Sequence, residues 1–145
     1  MNNNFRWLLL SLIVLGFDLP SKLWIEANVP YGGSSPLLPH INIVHVHNTG
    51  AAFSMFRAAP AWAFIALAVV VSLGILGWLK KHPQGETCTA AGLCLILGGA
   101  IGNVIDRVRL GHVTDFVDFF IGNWHFAAFN VADSAITVGA GLLIV

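Results

Sequence analysis

The chain has 145 residues, 57% hydrophobic and only 10% charged, with seven Lys plus Arg against seven Asp plus Glu and a mean hydropathy of +0.78. Soluble domains are about one quarter charged, so these numbers argue against a soluble enzyme, against disorder, which needs high net charge and low hydrophobicity, and against a nucleic-acid binder, which needs a basic patch. Two cysteines, Cys88 and Cys94, are too few for a disulfide framework or a four-ligand zinc site, which leaves a small membrane protein, one domain over 1–145, whose few charges each need a partner.

A helix crosses the hydrocarbon core with about 20 apolar residues. The first run, Trp7–Phe17, reaches that length only when extended to Ile25, which takes in Asp18, Pro20 and Lys22. It follows Arg6 as in a secretory signal peptide. Phe17-Asp18-Leu19-Pro20 offers no small-residue cleavage site, however, so a permanent first helix is expected. In the segment that follows, Pro30–Pro36 is turn chemistry. Ile41–His47 alternates as a strand with Ile41, Ile43, His45 and His47 on one face. Asn48-Thr49-Gly50 turns the chain, and Ala51–Phe56 is expected as a second strand of a small sheet at the membrane surface. Ala58–Leu79 is an uncharged span. Thr87–Ile105 is another, with Asn103 its one strongly polar residue, and Phe126–Val145 is apolar except for Asn130 and Asp133. The expected spans are therefore 7–25, 58–79, 87–105 and 126–145, with outer loops 26–57 and 106–125. Arg6 and the short basic connection Lys80–Glu86 mark the cytoplasmic side. Tryptophans 7, 24, 62, 78 and 124 fall near span ends, where interfacial aromatics anchor.

The polar residues gather at the outer ends of the last two spans. Asn103 and Arg107 are i, i+4, and Asn130 and Asp133 are i, i+3, so each pair shares a helix face. A short connection brings Asp115 opposite Asp133. Two carboxylates in a partly dry pocket share one proton, and one pKa rises. Such a pair can activate water as a base and protonate a leaving amine as an acid, which is aspartic-protease chemistry. Spacing leaves Asp118, three residues after Asp115, as an equal candidate. It also leaves open a proton or cation path through Asp18, Asp115 and Asp133, and a non-catalytic assembly protein packed through glycine faces. Simpler readings apply elsewhere. Gly98-x-x-x-Gly102 is a packing face, Asp106 beside Arg107 and Arg109 is a structural ion pair, and Asp18 with Lys22 is a local i, i+4 salt bridge. His45 and His47 lack a third metal ligand, and Cys88 and Cys94 are inert buried thiols.

Five blocks resemble lipoprotein signal peptidase, also called signal peptidase II, a family of bacterial inner-membrane aspartyl proteases. They are Asp18-Leu19-Pro20-Ser21-Lys22, Asn48-Thr49-Gly50-Ala51-Ala52-Phe53-Ser54, the run from Gly98 through Asn103 to Asp106-Arg107, Gly111-His112-Val113-Thr114-Asp115-Phe116, and Phe129-Asn130-Val131-Ala132-Asp133-Ser134. The resemblance implies an all-α membrane protein of four transmembrane helices with a small extracytoplasmic sheet or loop lid and both termini in the cytoplasm. It implies Asp115 and Asp133 as the catalytic dyad, which settles the choice against Asp118. Asn103, Arg107 and Asn130 then support the site and substrate, and Asp18, Lys22, Asn48 and Gly50 line or steady the pocket. The implied substrate is a prolipoprotein whose lipobox cysteine carries diacylglycerol, cut just before that cysteine. The implied partners are membrane lipids and globomycin-type cyclic peptide inhibitors. No nucleic acid, metal or organic cofactor is expected, and one chain is expected to hold the whole site as a monomer. Relative to the family pattern, the fourth span reaches Val145 without the usual short basic tail, so a shortened chain is expected.

Overall fold

The structure is a computed structural model that describes residues 3–51 and 55–145. A single turn of 3-10 helix, Asn3–Trp7, leads into helix α1, Leu8–Asn28. Pro20 lies inside α1 and removes one N–H from its ladder. The helix nevertheless continues to a C-cap at Val29, whose N–H donates to the Ile25 carbonyl at 2.9 Å. Helix α2 spans Ala61–Lys81 and helix α3 Thr87–Leu110. α3 stops where Gly111 takes the left-handed conformation, φ 79°, and donates its N–H to the Arg107 carbonyl at 3.0 Å. Helix α4 spans Val131–Ile144. The 3-10 turn with α1, together with α2 and α3, makes three helical stretches long and apolar enough to cross a membrane.

α3 is the centre of the bundle and packs against α1, α2 and α4. Its glycines allow this. A Cβ on Gly98 would meet the Ser11 backbone and Val14 of α1 at 2.9 Å, and one on Gly102 would meet Asp18 Oδ2 at 2.5 Å. On the other side, Gly92 and Gly139 face each other so closely that a Cβ on either would strike the other's carbonyl oxygen, at 2.7 and 2.6 Å. Half of α3's apolar window is buried but only 11% of that of α2, so α2 presents most of its surface outward. The apolar core, Ile75, Leu79, Ala90, Leu93, Cys94 and Leu97, fills the end of the bundle near the α2–α3 connection.

An antiparallel sheet covers the opposite end. Its strands are β1 (Ser34–Leu38), β2 (Ile41–Asn48), β3 (Val113–Ile121) and β4 (Trp124–His125), hydrogen-bonded in that order. β2 pairs with β3 through His47↔Thr114 and Val46↔Asp115, with an irregularity between Ile43 and Val46.

Four expectations need correction. The helix expected from Phe126 begins only at Val131, because Phe129 is held in extended form by a bridge to Val117 and Asn130 is the N-cap. The segment 106–125 is not a loop; α3 runs on to Leu110 and two strands follow. The partner of Ile41–His47 within its own segment is Ser34–Leu38, where turn chemistry is expected, and Pro36 is tolerated because β1 is an edge strand. The expected strand Ala51–Phe56 falls partly on 52–54, outside the described residues; Met55 and Phe56 lie in turns.

Candidate active site

The site forms where β3 passes over the ends of α1 and α3 and the start of α4. β3 delivers Asp115 and α4 delivers Asp133, and both carboxyls are buried. Asn130 joins them. As N-cap of α4, its Oδ1 accepts the Asp133 N–H at 2.9 Å, while Asp133 Oδ2 accepts the Asn130 N–H at 3.4 Å, a reciprocal capping box. Asn130 Nδ2 points away from the helix and donates to Asp115 Oδ1 at 2.8 Å. From α3, Asn103 Nδ2 donates to Asp133 Oδ1 at 3.1 Å. Each carboxylate thus receives one side-chain amide from a fixed direction. Asp115 Oδ2 remains buried without a hydrogen bond of sound geometry from any described residue. Burial pushes the Asp115 carboxyl up to about 8, and the neighbouring Asp133 adds to the rise. The nearby Asn48 and Asn130 amides offset it only in part.

Beneath this pair lies a layer of compensated charge. Lys22 is fully buried, and its Nζ bonds Asp18 Oδ2 at 2.7 Å, Asp106 Oδ2 at 3.2 Å and Asn103 Oδ1 at 3.1 Å. The bond to Asn103 oxygen turns that residue's amide toward Asp133. Asp18 Oδ1 accepts the Ala132 N–H at 2.8 Å, so α1 caps α4. Arg107 Nη2 donates to the Gly50 carbonyl, and its guanidinium lies 4.6 Å from the Phe64 ring centroid. Gly50 is in turn held by its own N–H on Asn48 Oδ1 at 2.8 Å.

All nine residues singled out in the sequence therefore meet at one end of the bundle: Asp18, Lys22, Asn48, Gly50, Asn103, Arg107, Asp115, Asn130 and Asp133. Asp18 with Lys22 is indeed a salt bridge, but one shared with Asp106 rather than purely local. Asp106 pairs with Lys22 and Arg109, at 3.2 and 3.3 Å, not with Arg107. Asp118 points elsewhere, toward His125 Nδ1 at 2.8 Å and Asn42 Nδ2 at 3.3 Å. His45 and His47 do share a face, where His47 stacks on His112 at 3.7 Å and on Tyr31 at 4.1 Å. Burial, then neighbouring histidine charge, holds His47 below the usual imidazole range. Among the described residues no group of three His, Cys, Asp or Glu is placed to hold a metal ion. Cys94 is buried but Cys88 is exposed at the start of α3, where a buried thiol was expected. Glu26 and Thr114 are additions that no sequence signal singled out, although Glu26 continues the i+4 spacing of Asp18 and Lys22 along α1.

A groove of about 250 Å³ between α2, α3 and α4, lined by Phe64, Leu67, Val71, Ile96 and Ile136, ends at Asn103 and Arg107. A larger apolar depression, about 380 Å³ beside Trp7 and Leu10, lies at the other end of α1, remote from these polar groups. The family model for "Signal peptidase (SPase) II" matches residues 10–145. The chain belongs to the signal peptidase II family. A lipoprotein signal peptidase of Hydrogenovibrio crunogenus is 47% identical over 142 residues, covering 96% of this chain and 81% of that one. One from Burkholderia cenocepacia is 52% identical over 141 residues, covering 95% and 84%. A solved structure described as a bacterial membrane enzyme, determined in meso at 2.3 Å, superposes with TM-score 0.88 at 31% identity over 96% of this chain and 85% of its own. This signal peptidase II relative is thus a peptidase and a multi-pass membrane protein with a small antiparallel sheet.

Proposed function

We propose that the chain removes the signal peptide from diacylglyceryl-modified prolipoproteins, cleaving before the lipidated cysteine, and that Asp115 and Asp133 are its catalytic pair. One observation carries the reading: two buried carboxyls bridged by a single asparagine, with one oxygen of Asp115 left open. In the resting state Asp115 holds the proton. Asp133 carries the negative charge, beside Lys22 and at the amino end of α4, where helix amides favour an anion. A water between them gives its proton to Asp133 and attacks the scissile carbonyl, while Asp115 donates its proton to the carbonyl oxygen. The tetrahedral gem-diol collapses as Asp133 gives its proton to the departing amine and Asp115 takes back the proton of one hydroxyl, which becomes the carbonyl of the new carboxyl end and resets the pair. Asn103 and Asn130 hold the two carboxyls in line, and Arg107, Asn48 and Gly50 form the rim that meets the substrate.

The chain acts as one membrane-embedded unit with four spans, α4 being the fourth. Its 14 residues reach only about 21 Å at 1.5 Å per residue. They nevertheless lie along α3 from Ala132 at Gly99 to Gly139 at Gly92. Lys80 and Lys81 mark the cytoplasmic side, which puts the sheet and dyad at the outer face of the inner membrane. There the substrate's lipid and apolar signal helix bring the scissile bond to the same depth, the helix entering along the α2–α3–α4 groove. The described part of segment 26–57, residues 26–51 and 55–57, covers the site, and globomycin-type cyclic peptides compete there. The deciding experiment is a gel-shift assay on a lipidated prolipoprotein. Asp115→Asn and Asp133→Asn each stop processing while the protein stays folded, and full activity in either removes the dyad assignment. Loss of the β1–β2 hairpin tip with cleavage unchanged removes the cover.

A further inference from the structure

Thr114, the residue before Asp115, is fully buried and spends all three of its polar groups on different elements. Its N–H donates to Asp106 Oδ2 of α3 at 3.0 Å. Its hydroxyl donates to Glu26 Oε1 of α1 at 3.0 Å. Its carbonyl accepts from Asn130 Nδ2, the amide that also holds Asp115 Oδ1, at 3.3 and 2.8 Å. The first two anchors are tied to each other. Arg109 Nη1 and Nη2 grip both Glu26 oxygens at 2.9 Å, a bidentate fork. Arg109 Nη2 also reaches Asp106 Oδ1 at 3.3 Å. The result is a closed ring, Glu26–Arg109–Asp106–Thr114, that pins β3 to the ends of α1 and α3.

Neighbouring strand residues point to opposite faces, so the Thr114 side chain faces away from the side on which Asp115 meets Asp133. What the ring fixes is therefore the backbone from which Asp115 projects, together with the acceptor that shares the Asn130 amide. We propose that Thr114, held by Glu26 and Asp106, is the positioning residue that sets the reach of Asp115 toward Asp133. The proposal rests on the reading of Asp115 as a catalytic group. It assigns to Glu26, Arg109 and Thr114 roles that act through Asp115.

Thr114→Val keeps the shape and both backbone bonds but deletes the hydroxyl, so Asp115 and Asn130 are left in place with a looser support. In a steady-state assay on lipidated prolipoprotein, kcat falls about tenfold, the scale expected when a reacting group shifts by part of an ångström, with KM changed less than about twofold. Thr114→Ser, which restores a hydroxyl, recovers most of the loss. The basic limb of the pH profile moves to higher pH in Thr114→Val, because a weaker amide contact at Asp115 Oδ1 disfavours the carboxylate. A mere loss of folded enzyme scales the curve without moving it. Wild-type kcat in Thr114→Val, or a serine variant as slow as the valine one, overturns the proposal. If Thr114→Val does not accumulate in membranes, Glu26→Gln, which leaves Thr114 intact, takes its place: a lower kcat with a shifted limb supports the ring, and an unchanged enzyme overturns it. Asp115→Asn run alongside separates the two levels. An inactive Asp115→Asn with a normal Thr114→Val rejects the ring and keeps the dyad, whereas an active Asp115→Asn rejects the dyad and the ring with it.

Discussion

Asp106 and Asp115 are both completely buried, yet their surroundings are opposite. Asp106 faces Lys22 and Arg109 and accepts a backbone N–H, so its charge is compensated on every side. Asp115 meets the Asn130 amide, with that of Asn48 nearby, and another carboxylate, and its Oδ2 is left without a hydrogen bond of sound geometry. Burial of the charged form costs several kcal/mol unless partners offset it. The first environment supplies those partners. The second withholds them, and Asp115 keeps its proton up to about 8, near enough to neutral pH for it to be given away. Burial alone makes neither a structural nor a reactive carboxyl; the count and sign of the neighbours do.

The comparison breaks most visibly through the dyad. Asp115→Asn and Asp133→Asn are each expected to lower processing by about a hundredfold or more, the scale of a lost general acid or base, read by gel shift. In the compensated layer the large effect is on stability instead. Lys22→Met leaves Asp18 and Asp106 buried without their shared cation and is expected to cost about 3–5 kcal/mol, measured by thermal unfolding in detergent. Adding Asp106→Asn to Lys22→Met recovers part of that cost.

A pH series sharpens the contrast further. Unfolded, Asp115 titrates near its ordinary 3.8; folded, near about 8. Between those values the folded chain keeps a proton that the unfolded chain has released, so stability falls as pH rises across the window and levels off above it. Asp115→Asn removes that slope, and the wild-type enzyme loses activity as pH climbs through about 8. A slope unchanged in Asp115→Asn refutes the assignment. Gly102→Ala, whose methyl would press on Asp18 Oδ2, is expected to cost about 1–3 kcal/mol by overpacking, seen as a lower melting temperature. The smallest effect belongs to Asp118→Asn. Its partners are Asn42 and the half-exposed His125, and a pair open to solvent on one side contributes about 1 kcal/mol, so processing stays within about twofold of wild type.

The uncharged runs of α2 and α3 were legible because length and apolar content alone decide a span. β3 was not. Its stretch Val113–Phe116 is buried on both faces, with the polar Thr114 and Asp115 buried beside Val113 and Phe116, so the polar–apolar alternation that marks a half-buried strand is missing. The start of α4 was misplaced for a related reason. Asn130-x-x-Asp133 was read as two residues on one helical face, whereas the same spacing is an N-cap with its reciprocal acid. At the site, spacing groups Asn103, Arg107, Asp115, Asn130 and Asp133, and the resemblance adds Asp18, Lys22, Asn48 and Gly50 to them. It did not reach Glu26, because a contact between α1 and the first turn of β3 leaves no periodic trace along the chain.

The Asp18 bond to the Ala132 N–H has a consequence for biogenesis. The carboxylate that caps α4 is made near the start of synthesis, and the helix it caps is made last among the four. Until α4 arrives, Asp18 has no helix end to hold, Asp115 has no Asn130 amide, and Asp133 is not yet beside it. On the proposed reading of Asp115 and Asp133 as the catalytic pair, proteolytic competence is therefore withheld from the nascent chain until the fourth helix docks. On that reading, a peptidase is kept inert while it is itself being threaded into the bilayer.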